Sequence, residues 1–170
     1  GDGKATSNLP LRGGKGRQWE GGIREPFYID WPGTVPSGST CNIPVSGTDL
    51  YPTLLEMTGL AARPEQHVDG ISLVAALKGG TLPARPLFWH YPHYGNQGGE
   101  PSSIIQQGDW KLIHNLNNDT RALFNLVSDP KEQRNLASEN LEKLDQLKKW
   151  MDSCRAIASD AKSPAENENR

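Results

Sequence analysis

The chain has 170 residues, a formal net charge of -2 from 18 Lys and Arg against 20 Asp and Glu, and five tryptophans among 35% hydrophobic residues. That length buries roughly 70% of the unfolded surface, enough for one core of ordinary size, and the tryptophans argue against a disordered chain. Interspersed charge excludes the basic face of a nucleic-acid binder and the polybasic run of a membrane-surface protein, and no stretch approaches the ~20 apolar residues of a membrane span.

Residues 1–24 are a polar, glycine-rich entry segment. In REPFYIDWPG, Phe27, Ile29 and Trp31 alternate and the pattern stops at Pro32-Gly33, which predicts a strand ending in a turn. TDLYPTLLEMTGL predicts a helix capped by Thr48, with Leu50, Leu54 and Met57 on its apolar face, Pro52 in the first turn and Gly59 at its end. SLVAALKGG predicts a shorter helix from Ser72 to the Gly79-Gly80 pair. After Pro83 the chain turns β-rich. PLFWHY is one expected strand, SSIIQQGDWKLIHN two strands joined at Gly108-Asp109, and RALFNL another. From Glu139, the stripe Leu141, Leu144, Leu147, Met151, Cys154 and Ala158 predicts a long amphipathic helix, and SPAENENR a disordered tail. This order is α+β. Its first half, one apolar strand and two helices, wants a larger sheet to pack on. Cys41 and Cys154 leave one disulfide or none open.

The densest candidate for chemistry is LRGGKGRQWEGGIR, residues 11–24. It fails the spacing of a phosphate-cradling nucleotide loop and of a dinucleotide loop, since Gly16-Arg17 follows Lys15 and no strand precedes it. Two readings stay open. One is a plain surface loop; the other is an anion site, in which Gly14 and Gly16 let the backbone approach a ligand and Lys15, bracketed by Arg12 and Arg17, offers a compact charge to a tetrahedral oxyanion. Glu20 and Arg24, four apart, can pair to order the turn. In WHYPHY, His90 and His93 point to opposite faces of an extended segment, which disfavours a shared metal; either an aromatic loop or a hydrogen-bonding imidazole fits. Asp109, Trp110 and Lys111 read as a turn aspartate, a packed tryptophan and a solvated lysine. SDPKEQRNLA reads as a turn entering a helix, and His67 and Asp69 as loop polars.

SNLPLRGGKGRQWEGGIREPFYIDWPG, TDLYPTLLEMTG, DGISLVAAL, RPLFWHYPHY, IIQQGDWKLI and LFNLVSDPKEQRNLA are six collinear blocks over residues 7–137. Together they resemble the C-terminal third of bacterial arylsulfatase-like enzymes of the sulfatase family, in the alkaline-phosphatase superfamily. The resemblance implies the C-terminal part of an α/β sulfatase fold, ending in a small antiparallel sheet covered by a long C-terminal helix. Residues 1–82 would be the edge of the large catalytic domain, 83–160 the small sheet subdomain, and 161–170 a disordered tail. It implies hydrolysis of sulfate esters by a full-length enzyme, with Lys15 on the sulfate, His90 or His93 near the leaving group, and Arg12, Gly14, Gly16, Glu20 and Arg24 ordering the loop.

The family's formylglycine, made within a C/S-x-P/A-x-R signature, matches neither CNIPV at Cys41 nor CRAIA at Cys154. Its Ca2+ is held by an Asp-Asp and an Asp-Asn pair; Asp2 is followed by Gly3, so no metal role carries over to it. Nucleophile and Ca2+ ligands are therefore expected outside this chain, in an N-terminal catalytic portion that would be its partner, and the chain alone is expected to be inactive. A sulfated small molecule or glycan is the expected ligand, with no nucleic acid or membrane partner, and the family points to a periplasmic or secreted location. Two alternatives remain: a non-catalytic anion- or glycan-binding or structural module, and a phosphodiesterase-type relative.

Overall fold

The computed structural model describes residues 7–160. Asp2 and the tail at 161–170 lie outside the described residues. Two compact units are present: one joins the residues up to Glu25 with those from Phe88 onward, and the other is Pro26–Leu87. The grouping does not follow the division at residue 82 expected from the sequence. The glycine loop belongs with the sheet because Glu20, next to that loop, is bonded to residues on the sheet side some ninety and more positions later.

The first unit is built on a four-stranded sheet in the order β1 (Leu87–Tyr91), β2 (Ser102–Gln107), β3 (Trp110–Asn115) and β4 (Arg121–Asn125). β2–β3 and β3–β4 are antiparallel, and the pairing Gln107↔Trp110 leaves Gly108-Asp109 as a two-residue hairpin loop, as expected. Alternation splits the side chains between two faces. Ile105, Leu112 and Leu123 pack against Leu147 and Met151 of the closing helix, Leu141–Asp160, with Phe88 and Trp110 alongside. Ile104, Ile113 and Phe124 face the other way and are covered by Trp19 and Trp89. The sheet is thus closed on one face by the long helix and on the other by the segment that follows the glycine loop. The helix buries only the middle of its expected stripe, for Leu141 is 67% exposed while Leu147 is fully buried.

The second unit contains a 3-10 turn (Gly47–Asp49), a helix at Leu50–Met57 and another at Val74–Leu77. Here three expectations are corrected. Residues 24–31 form no strand: they pair with no segment among the described residues, and Phe27 and Tyr28 are 48% and 89% exposed. A strand needs a neighbour for its backbone groups, and alternation cannot supply one. The helix start is set by Asp49, whose carboxylate accepts the Ser46 N–H at 2.8 Å, and not by Thr48. The face of that helix that is buried carries Pro52, Thr53 and Leu55, while Leu50 and Leu54 are exposed. The unit is tied together by Asp49, which also accepts the Ile71 N–H at 3.0 Å and pairs with Arg85. Thr53 donates to the Asp49 carbonyl and accepts the Leu73 N–H.

Candidate functional site

The glycine loop folds over a one-turn helix, Glu20–Ile23. The Gly21 N–H donates to the Arg12 carbonyl at 2.8 Å, and the Arg17 N–H donates to the Gly14 carbonyl at 3.0 Å. Gly22 must lack a side chain, because a Cβ there would stand 2.1 Å from the Arg17 carbonyl oxygen and 2.6 Å from that of Gly14. A second loop, Tyr94–Gly99, abuts the first. A Cβ on Gly99 would meet the Gly16 carbonyl oxygen at 2.2 Å, and Gly16 itself sits at φ +82° against Gln97. Two loops therefore meet backbone to backbone, with little room for either to shift.

Three cations stand on the loop, and two are engaged. Arg12 donates from Nη1 to the Glu132 carbonyl at 2.7 Å, and its guanidinium lies 3.5 Å from the centre of the Trp19 ring. Arg17 donates from Nη1 to the Gly98 carbonyl at 2.5 Å. Lys15, between them, is exposed and makes no hydrogen bond or ion pair with any described residue. Of the three cations it is the one with no partner among the described residues. Arg24 is exposed and touches Glu20 only through its backbone N–H.

Glu20 does not pair with Arg24 as its spacing suggests. Its carboxylate accepts from Lys111 Nζ at 2.9 Å, and its backbone N–H donates to Glu132 Oε2 at 2.6 Å. Lys111 also forms an ion pair with Glu132 Oε1 at 2.9 Å, without the geometry of a directed hydrogen bond. Lys111, Glu132 and Glu20 are 0%, 0% and 5% exposed, so the solvated lysine expected from the sequence is overturned, while SDPKEQRNLA does form turns ahead of the closing helix. Lys111 sits on the central strand β3, on the face it shares with Ile113, and neither face of that strand meets water. Burial pushes the Glu132 carboxyl above the ordinary carboxylate range, against the pull of Lys111 and the Glu20 N–H.

His90 lies on the other side of the sheet. Its ring stacks on Phe88, which belongs to the helix-side core, and its Nδ1 is 2.7 Å from Ser103 Oγ. That hydroxyl accepts from Arg155 Nε at 3.0 Å, leaving its own proton for His90. Arg155 Nη2 lies 2.6 Å from His114 Nδ1, and His114 Nε2 lies 2.6 Å from Asp119 Oδ1. Burial, then the charges of Arg155 and His93, hold the His90 pKa below its ordinary value. His93 packs edge-on against Tyr91 and is exposed. The structure thus brings Arg12, Gly14, Lys15, Gly16 and Glu20 together and puts His90 on the opposite face.

Lys111, Glu132, Ser103 and Arg155 were missed by sequence reasoning. A signal existed for Lys111 alone: its neighbours Leu112 and Ile113 make both faces of β3 apolar, which places the lysine in the interior. Among the described residues, no three His, Cys, Asp or Glu converge to hold a metal ion, and no helix is long and apolar enough to cross a membrane.

Over residues 15–156 the chain matches the family described as N-sulphoglucosamine sulphohydrolase, C-terminal. It is 34% identical over 146 residues to a sulfatase of Formosa agariphila, an alignment that takes in 79% of this chain and 26% of that one. It is 40% identical over 84 residues to the N-acetylgalactosamine-6-sulfatase of Canis lupus familiaris, covering 49% of this chain and 16% of that one. Among solved structures it superposes with a TM-score of 0.72 and 31% identity on Ps i-CgsB in complex with k-i-k-neocarrahexaose, over 87% of this chain and 33% of that one. BT4656 in complex with its substrate D-glucosamine-2-N,6-O-disulfate gives 0.56 and 26%, over 71% of this chain and 25% of that one. The chain spans a third or less of the length of each.

Proposed function

The chain belongs to the N-sulphoglucosamine sulphohydrolase C-terminal family of sulfatases, and from that we propose that it supplies the sulfate-binding loop and pocket rim of an enzyme hydrolysing sulfate esters, with Lys15 as the residue that meets the sulfate. The observation that carries this is the division of labour on the loop. Arg12 and Arg17 are spent on backbone carbonyls, and Lys15 alone of the three is exposed without a partner. The close-packed glycines restrain the backbone that carries Lys15, so its ammonium is delivered from a defined place to the charge that builds on the sulfuryl oxygens as the S–O bond breaks. Lys15 neutralises that charge and acts electrostatically.

The reading extends to a sulfated small molecule or glycan as ligand and to a periplasmic or secreted location. Formylglycine and Ca2+ belong to an N-terminal catalytic portion. The described residues do not fit a Ca2+ cage, for no carboxylates converge in sufficient number, and no step is derived through the metal. Without a nucleophile, the 170-residue chain does not turn over.

The test compares the full-length enzyme with its Lys15→Ala variant on an aryl sulfate and on the matching aryl phosphate. The expected result is a drop of about 10²–10³-fold in kcat/KM for the sulfate ester, the size seen when one preorganised charge-stabilising donor is lost. Unchanged sulfate turnover, or a larger loss on phosphate, overturns the assignment. Turnover by the purified chain alone overturns the expected inactivity.

A further inference from the structure

Glu132 closes the glycine loop from both ends. Its carbonyl oxygen accepts from Arg12, three residues before Lys15, and its carboxylate accepts the N–H of Glu20, five residues after. These contacts reach across 120 and 112 positions of sequence, so no local preference of the loop produces them. The same carboxylate is held by Lys111, which in turn holds the Glu20 carboxylate, so one buried ammonium on β3 faces two carboxylates from separate segments. Burying such a trio is a poor way to gain stability, since desolvating three charges offsets most of their attraction and apolar residues of similar volume often do as well. Glu132 also holds a φ of +52°, a left-handed conformation that is strained for a non-glycine residue. The turn that keeps it there is fastened by Asp129, whose carboxylate accepts the N–H groups of Gln133 and Arg134.

What the arrangement does supply is position. Glu20 begins the short helix whose glycines touch the carbonyls of Arg12, Gly14 and Arg17, with no side chain between them to absorb a shift. A displacement of Glu20 is passed directly to the backbone around Lys15. We propose that Glu132, with Lys111 as its counter-ion, is a positioning residue for Lys15: it sets where the ammonium stands and so how well it meets the sulfate. This rests on the sulfate reading of Lys15. Neither Glu132 nor Lys111 touches substrate.

The test is a double-mutant cycle on kcat/KM for an aryl sulfate in the full-length enzyme, combining Glu132→Gln with Lys15→Ala. Gln keeps the volume but replaces one acceptor oxygen with an amide donor facing Lys111 or the Glu20 N–H. In the wild-type background the expected loss is about 10²-fold, the scale of an ångström-sized misplacement. In the Lys15→Ala background the expected further loss is under about twofold, because the group being positioned is gone. An equal loss in both backgrounds means a general structural role and overturns the proposal. Lys15→Ala without effect removes the sulfate reading and the proposal with it, and that single variant tells the two failures apart. If Glu132→Gln does not fold, Asp129→Ala takes its place in the same cycle with the same expected pattern, since it loosens the turn that carries Glu132 and leaves the buried trio intact.

Discussion

The two compact units solve opposite problems. The sheet unit hides charge: Lys111, Glu20 and Glu132 lie beneath a glycine loop, and each ion faces another. The Pro26–Leu87 unit exposes apolar surface: Phe27, Leu50, Leu54 and Leu60 are 48%, 41%, 56% and 62% exposed, and a single carboxylate, Asp49, ties its backbone together. Composition alone suggests the reverse, with lysine outside and leucine inside. Burial is decided by which element finds a covering neighbour. β3 is covered on both faces, so even its lysine goes in; Leu50, Leu54 and Leu60 of the second unit are only partly covered.

The largest expected effect breaks the first half of this comparison. Lys111→Met leaves two carboxylates facing each other in a dry site, and removing one partner of a buried pair costs about 3–5 kcal/mol. Urea unfolding of the chain followed by tryptophan fluorescence measures it, and a loss below about 1 kcal/mol would mean that the trio is hydrated in solution. In the second unit, Asp49→Ala strands the N–H groups of Ser46 and Ile71 and is expected to cost about 2–3 kcal/mol by the same measurement.

Much of the sheet unit was legible. The four strands, the Gly108-Asp109 hairpin and the closing helix follow from period, turn residues and length, because local pattern and final environment agree there. The glycine loop could be recognised, and so could Lys15 as its free charge. What could not be read is how the loop is held, because Glu20–Lys111 and Glu20–Glu132 are contacts across 91 and 112 residues with no local signature. The 24–31 segment failed for the converse reason: its alternation is real, but a strand is a property of two segments, and no segment among the described residues pairs with it.

A smaller effect separates the two ends of the sheet unit. The His90 pKa is lowered in the fold, so the unfolded chain takes up a proton first as pH falls. Stability is then fully present above about pH 6.5 and declines below it, through the window that ends at the lowered folded value. In His90→Gln, a plot of Tm against pH should lose part of that decline. An unchanged slope would overturn the part given to His90 in that decline.

The smallest expected effect is the sharpest test of the second unit. Leu54 is 56% exposed although it lies on the face that the helical period marks as apolar, next to Leu55, which is 8% exposed. Leu54→Ser removes little buried area, and the stability of the chain should change by no more than about 0.5 kcal/mol. Binding of the dye ANS should fall, because the exposed leucines form the surface it would occupy. A loss of 2 kcal/mol or more, about what truncating a buried leucine costs, would show that this face is covered when the chain is free. In the full-length enzyme the same substitution carries the opposite expectation. If the catalytic portion packs on Leu50 and Leu54, Leu54→Ser should destabilise that protein while leaving the isolated chain unchanged, and the difference between the two measurements would locate the surface on which this segment meets the rest of the fold.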